Sequence, residues 1–435
     1  MSNIGGSDFT SLQVVVGTRA TSAQFRIETS GGVIHEGTTT SSSPTAVSID
    51  NTLQVANSQY TNRNKGLYIY STGSESIYVL VKNFITFVNL GAYLAYPCIR
   101  FETDAAYEYV VVSADDPEDV LRSQFLLVGC ENDTEITVVP TQTINIPQDP
   151  QNSVSVMTTV DVGTTSHQII LHTMQTLLIS SVDDLTGTRI ISNKPLTVIS
   201  GHECANIPSS RSSCEPLAVH VPPTFTWGTE FLLAPFAGRH GVQTFKAVTS
   251  ENNTFVTTVC GTTSNETRTN SIFQLNTDKY CYLESSNPVM LTQLSFGGSI
   301  DSMGDPSIAL ISPIDQYIHE TEFFSLPTFE FSNNYISITV QIEHYNPDRI
   351  LLDGAKVNCE WQEIYNNTLT FDIVGYGCNT TVSSDFVSHT RHTVTHSDAN
   401  GLISVLAYGF GAFPVQGYAY LTGQELQLTS DISGT

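Results

Sequence analysis

Six residues of this 435-residue chain recur at a fixed offset: Phe125, Val128, Glu131, Asn132, Thr134 and Thr137 return 120 positions later as Phe245, Val248, Glu251, Asn252, Thr254 and Thr257. In both places an apolar run, a polar turn and a second apolar run follow one another, which spells two strands joined by a short connection and used twice. Repeating one supersecondary unit means repeating the core it buries, so the chain is a tandem array. Weaker echoes extend the pattern. Ser192-Asn193-Lys194-Pro195 before an apolar strand is answered by Ser286-Asn287-Pro288 before Val289–Leu294, and Gly66-Leu67-Tyr68 rhymes with Gly401-Leu402-Ile403. Glu108-Tyr109, Glu230-Phe231 and Glu322-Phe323 each open a unit. Four units result, residues 1–90, 91–206, 207–318 and 319–435, each long enough for the six or seven strands of a two-sheet sandwich.

The elements inside the units read as strands. Runs rich in β-branched and aromatic residues, bounded by Gly, Asn, Asp and Ser, occur at Leu12–Val16, Leu67–Tyr70, Ile77–Val81, Tyr109–Val112, Phe125–Val128, Ile136–Val139, Ile169–His172, Leu196–Ile199, Tyr335–Val340 and Leu402–Ala407. Charged residues make up only 14% of the chain, so Ser, Thr and Asn must cover the solvent faces, a style that suits sheets better than helices. Asp115–Ser123, with Pro117 in its first turn, is the one stretch that reads as a short helix. The expected fold is all-β, tandem sandwiches joined by Pro/Gly/Ser-rich connectors at 207–228 and 297–320. A β-propeller-like arrangement is the alternative, disfavoured because a blade takes only about 40–50 residues.

A formal net charge of −25 opposes binding to nucleic-acid phosphates or anionic bilayers through like-charge repulsion. No apolar run is long enough to span a bilayer, and Met1-Ser2-Asn3-Ile4-Gly5-Gly6 has neither a charged leader nor an apolar core, so secretion would imply a signal already removed. The eight cysteines lack Cys-x-x-Cys spacing and point to oxidised pairs and an extracellular setting. About a hundred connectivities are open to eight cysteines. Their placement as near neighbours favours Cys98 with Cys130, Cys204 with Cys214, Cys260 with Cys281 and Cys359 with Cys378. Sequons at Asn132, Asn252, Asn265, Asn366 and Asn379 agree with secretion.

One stretch carries a likeness to known proteins. From Ser192 to Trp227 a hairpin runs into Gly201-His202-Glu203-Cys204, then Cys214-Glu215-Pro216, Val221-Pro222-Pro223 and Trp227-Gly228. It resembles the N-terminal domain of the IgGFc-binding protein family, in which a Gly-His-x-Cys element after a strand is followed by a second Cys, a Pro-Pro pair and a Trp-Gly. The likeness continues through Asp305-Pro306, Pro313, Gln316-Tyr317, Phe324 to Pro327, Leu352-Asp353-Gly354, Trp361, and Tyr408-Gly409-Phe410 with Gly417 to Tyr420 and Gly423. It implies a secreted all-β binding or structural module of mucus and matrix proteins, with no catalytic residues to carry over. The antibody binding in the family name belongs to a vertebrate setting.

Several local patterns compete with that reading. His202, Cys204, Cys214 and His220 are ligand types that zinc takes tetrahedrally, but in an oxidised chain a Cys204–Cys214 disulfide is the simpler expectation, leaving no metal site. His389, His392 and His396 lie close together, and the β-branched residues around them predict an edge strand with His392 and His396 on one solvated face. Asp115, Asp116, Glu118 and Asp119, and the pair Asp183-Asp184, could offer oxygens to Ca2+, yet neither has the alternating acidic pattern that wraps the ion, so capped turns and no cofactor are expected. Phe413, Tyr418 and Tyr420, interleaved with Gly411, Pro414 and Gly417, would make a contact surface if exposed, whereas the family resemblance implies that they pack in the core of the last unit.

No Gly-x-Ser-x-Gly elbow, His-Glu-x-x-His or phosphate-cradling glycine loop anchors a reaction, so the chain is not expected to be an enzyme. The expectation is a secreted, non-catalytic binding or scaffolding module that meets an extracellular protein or glycoprotein, without nucleic acid or membrane insertion. Self-association into fibres, and a carbohydrate-active hydrolase with a carboxylate pair between sandwiches, are the alternatives.

Overall fold

In the computed structural model, residues 10–426 are described apart from 55–60, 86–88, 104, 115–120, 148–156, 166–168, 210–213, 240, 299, 328–332, 386–387 and 413–414. The chain forms two compact units, residues 1–225 and 226–435. Among the described residues both are built from antiparallel strands, with short 3-10 turns and no α-helix, and each of the ten runs singled out above overlaps a strand. Residues 115–120 of the expected helix lie outside the described residues, and Ser123 already opens a strand.

One pairing scheme accounts for most of the strands. In the first unit, Ser123–Gly129 lies between Thr176–Ser181 and Leu196–Ala205, and Leu196–Ala205 pairs in turn with Glu215–Val221. A second sheet sets Thr134–Val139 between Ile169–Leu171 and Arg189–Ser192, with Tyr107–Val110 beyond. The same connections recur nearer the N-terminus: Thr10–Gly17 sits between Thr45–Ile49 and Tyr78–Ile85, which pairs Asn89–Leu94, while Ser22–Thr29 sits between Gly32–Thr40 and Tyr68–Ser71.

In the second unit, Gln243–Thr249 lies between Ile272–Thr277 and Cys281–Ser295, while Thr254–Cys260, Gly228–Leu233 and Ser307–Ile311 join the same long strand. Asn333–Gln341 lies between Ile373–Thr381 and Ser404–Ala412, which pairs Val415–Leu421. Glu320–Ser325 and Ile350–Leu352 flank Thr390–His396. Three of these schemes divide their strands between two main sheets, unlike the single meander of a propeller blade. Where Arg189–Ser192 and Leu196–Ala205 are broken by Lys194-Pro195, their counterpart Cys281–Ser295 runs on unbroken for 15 residues and ties both sheets into one of seven strands.

The offset of 120 is a repeat of conformation as well as of letters. Asp133 and Asn253 both adopt positive φ, 55° and 61°, and the hydroxyls of Thr134 and Thr254 donate to the carbonyls of Glu131 and Glu251 at 2.9 and 2.8 Å. The Ser-Asn echo recurs too, since Asn193 Oδ1 accepts from the Glu135 N–H and Ser286 Oγ from the Phe255 N–H, both at 2.9 Å. These side chains satisfy backbone groups that the ladders leave over at strand ends.

Burial follows the alternation. Ala23, Phe25 and Ile27 turn inward along Ser22–Thr29, where Phe25 and Ile27 pack with Val14, Val16, Val47, Ile49 and Val79. The central strands are buried on both faces, as at Phe125, Leu126 and Leu127 or Phe245, Ala247 and Val248. All eight cysteines pair with near neighbours, Cys98–Cys130, Cys204–Cys214, Cys260–Cys281 and Cys359–Cys378.

The segments expected as connectors differ from the sequence reading. Residues 207–228 contain the strand Glu215–Val221 and residues 297–320 the strand Ser307–Ile311, each a full member of a sheet. Pro222-Pro223 and Pro313 follow the ends of these strands.

The positive φ at Asn253 generates a test. A β-branched side chain there crowds its own backbone, whereas glycine relieves the crowding, so Asn253→Val will lower unfolding free energy by about 1–2 kcal/mol and Asn253→Gly by much less. Chemical denaturation of the two variants measures the difference.

Candidate binding surface

The residues that sequence patterns nominate for metal binding are engaged in holding the fold. Cys204 and Cys214 are bonded to each other, and Cys204 is completely buried. His202 is buried and its Nδ1 accepts the Cys204 N–H at 3.1 Å. His220 Nδ1 accepts the Tyr96 N–H at 2.9 Å, and burial pushes the imidazole down to about 3, so the ring is neutral. These four do not form a ligand set. Gly201 explains its own place in the motif: a Cβ there would lie 1.9 Å from the Leu217 carbonyl oxygen of the neighbouring strand.

His392 and His396 do share one face of the strand Thr390–His396, but that face is the buried one. The reason is that partners wait for the ring nitrogens. His392 Nδ1 lies 2.7 Å from Asp353 Oδ2, while its Nε2 lies 2.8 Å from the Ser383 carbonyl and 3.2 Å from Ser325 Oγ. His396 Nε2 meets the His344 carbonyl at 2.8 Å, and its Nδ1 accepts the Asp398 N–H. His389 sits just outside that strand. The order Ser325, His392, Asp353 resembles a hydrolytic triad in outline only. Ser325 is completely buried and its Oγ donates to the Ser383 carbonyl at 2.8 Å, so the hydroxyl closes a joint between strands.

Asp184 likewise caps a turn, with its Oδ1 accepting from both the N–H and the hydroxyl of Thr186. Asp115, Asp116, Glu118 and Asp119 lie outside the described residues. Among the sequons, Asn132, Asn252, Asn265 and Asn366 are exposed. Asn379 differs: its amide donates to the Pro235 carbonyl and to the Tyr280 hydroxyl, and its Oδ1 accepts from Tyr408. A glycan on that nitrogen would replace one of the two donated hydrogens.

The aromatic residues of the family-like motifs are nearly all internal. Trp227, Tyr317, Phe324, Tyr408, Phe410, Tyr418 and Tyr420 are buried, while Phe413 lies outside the described residues. Trp361 alone among them is half-exposed. It leads into the edge strand Gln362–Tyr365, whose alternation sends Ile364 into the core and sets Trp361, Glu363 and Tyr365 on the opposite face. Glu363 lies directly across from Tyr376 on the strand Ile373–Thr381. Tyr345, just beyond the 3-10 turn Ile342–His344, stacks on Tyr376 with centroids 3.6 Å apart and planes at 16°, and meets Trp361 edge-on at 5.4 Å. Phe371 contacts Tyr365 edge-on, and Leu369 and Ile342, near these rings in sequence, are also exposed. The Cys359–Cys378 disulfide ties the segment leading to Trp361 onto the neighbouring strand.

The patch is electrostatically asymmetric. Tyr365 donates its hydroxyl to Glu363 Oε2, and that bond raises the phenol above its usual range, with burial a smaller cause. Burial and then the Glu363 charge raise Tyr376, whereas Tyr345 is raised by burial, Tyr376 and Glu363 in that order. All three phenols therefore stay neutral around one carboxylate. Tyr345, Trp361, Glu363 and Tyr376 are separated in sequence, and only the strand register unites them. Trp361 within a recognised motif was the one signal that pointed here.

These features define a disulfide-linked, all-β protein with a solvent-facing aromatic patch. The chain belongs to the IgGFc-binding protein family: the family described as IgGFc binding protein matches residues 91–409. No curated protein and no solved structure matches it.

Two measurements follow. Between about pH 6.5 and 3 the unfolded chain takes up a proton at His220 that the folded chain excludes, so stability falls with falling pH across that window. His220→Gln will flatten the pH dependence of the denaturation midpoint there by about one proton, or about 1.4 kcal/mol per pH unit. Because Trp227 is buried and Trp361 is not, acrylamide quenching reports mainly on Trp361. The double variant Cys359→Ser, Cys378→Ser will be quenched more strongly than the parent while keeping its far-ultraviolet dichroism.

Proposed function

We propose that this chain is a secreted, non-catalytic binding or scaffolding module of a mucus, extracellular-matrix or adhesive protein, acting by surface recognition of an extracellular protein or glycoprotein. Membership of a binding family supports the general role, and four disulfides suit an oxidising compartment. The observation that carries the reading is the half-exposed group Tyr345, Trp361, Tyr365 and Tyr376 gathered about a disulfide-anchored strand pair. Aromatic rings bring large contact area with few rotatable bonds, so a rigid group of them binds at low entropic cost. Net negative charge argues against nucleic acid and anionic membranes as partners, and no cofactor is needed.

In the same reading the modules are the four sequence units, 1–90, 91–206, 207–318 and 319–435, two to each compact unit, with the joints moved to follow the strand pairing. Asn132, Asn252, Asn265 and Asn366 are the glycosylation sites, and Asn379 is not. The hydrolase alternative has one observation in its favour. Glu230 and Glu284 are exposed and directly opposed across neighbouring strands, and burial, with Glu230 adding a smaller push, raises nearby Asp315. Tyr282 donates to Glu230 at 2.8 Å, however, so that side chain is already tied to the sheet beside it.

Affinity capture from the native extracellular fluid with the folded chain will recover a protein or glycoprotein, and Trp361→Ala will reduce its yield severalfold. Turnover of any member of a glycan panel, abolished by Glu230→Gln or Glu284→Gln, would replace the binding reading with the catalytic one.

A further inference from the structure

The character of the aromatic patch specifies what would bind it. Glu363 bonds Tyr365 and lies across from Tyr376, exposed Glu360 and Asp372 are near it in sequence, and exposed Glu343 is near Tyr345. The basic residues of this region are engaged elsewhere: Lys356 pairs with Asp348, Arg349 with Asp398 at 3.7 Å, and His344 with Glu343 at 3.4 Å. No ion pair among the described residues engages Glu360, Glu363 or Asp372. Glu363 gives one oxygen to the Tyr365 hydroxyl and retains Oε1 for another donor.

We propose that this surface is a receptor for an arginine side chain on an exposed cationic segment of a partner protein. The inference rests on the binding reading above and names its ligand. Three features select the guanidinium. Aromatic faces attract cations through their quadrupole, and a flat guanidinium stacks on a ring as an ammonium does not. A carboxylate beside the rings takes the guanidinium fork in a charge-assisted hydrogen bond. The net charge of −25 draws cationic segments toward the protein and repels acidic glycans, which disfavours sialylated or sulfated chains at the same place. Lysine would keep the charge attraction but lose both the stacking and the fork.

The test uses the intact, oxidised chain and a blocked peptide alternating arginine with glycine, followed through Trp361 fluorescence and calorimetry. Saturable binding is expected, weaker by about tenfold for Glu363→Gln and for the lysine analogue of the peptide. Asp161→Asn, which removes an exposed carboxylate in the other compact unit, should change nothing. Glu363 is exposed, so the glutamine variant should keep the parent denaturation midpoint. Equal losses from Glu363→Gln and Asp161→Asn would reduce the effect to net charge and overturn the site. So would an unchanged affinity in Glu363→Gln, or binding of a neutral oligosaccharide that quenches Trp361 when the peptide does not. Should a partner captured from extracellular fluid bind Glu363→Gln as well as the parent, the arginine site fails while the binding function stands.

Discussion

Everything in this molecule depends on strands meeting the hydrogen-bonding needs of one another's backbones. Among the described residues no α-helix satisfies its own amides, so each buried N–H and C=O must find a neighbour across a ladder or a side chain at its end. The central strands, Thr10–Gly17, Ser123–Gly129, Gln243–Thr249 and Asn333–Gln341, are paired on both edges. That double pairing lets Phe125 to Leu127 be apolar in succession, because both faces and both edges are shielded. Outer strands carry the compensation: Thr263–Thr269 is almost wholly exposed and spelled with Thr, Ser, Asn, Glu and Arg, which blunts an edge that would otherwise invite another chain.

Seen through that constraint, the motifs that mark the family are maintenance features of the ladders. Gly201 lets two backbones approach, His202 caps the chain next to the Cys204–Cys214 bond, and Asp353-Gly354 turns a hairpin with positive φ at both residues. Asp353 then pins the strand that carries His392. Among the aromatic residues of those motifs that the structure describes, Trp361 is the one that reaches solvent. The disulfide two residues away ties the segment leading into the edge strand there, so the aromatic patch rests on the same covalent framework that supports the core.

Different parts of the structure were legible to different degrees. The all-β class, the strands at Leu12–Val16 or Tyr335–Val340 and the turn repeated at Asp133 and Asn253 could be read because period-two alternation and turn chemistry are local. His392 and His396 were rightly set on one face of a strand, yet the face is buried: alternation gives sidedness and says nothing of which side is covered. The supposed connectors failed for a related reason. Pro222-Pro223 and Pro313 mark where a strand stops, and a single sequence does not show that Glu215–Val221 and Ser307–Ile311 are themselves sheet members.

The sequence by itself determined the class of fold, its duplicated organisation and its cysteine chemistry, because those follow from the spacing of apolar residues, turn residues and thiols along one dimension. The tertiary structure alone decided that His202 and His220 are internal props, that the Asn379 amide is occupied, and that Tyr345, Trp361, Glu363 and Tyr376 form one surface. Tyr345, the stretch from Trp361 to Glu363, and Tyr376 come from three separate segments, and only a particular register between strands, with a ring from a neighbouring turn laid over it, brings a carboxylate and three aromatic groups together in space.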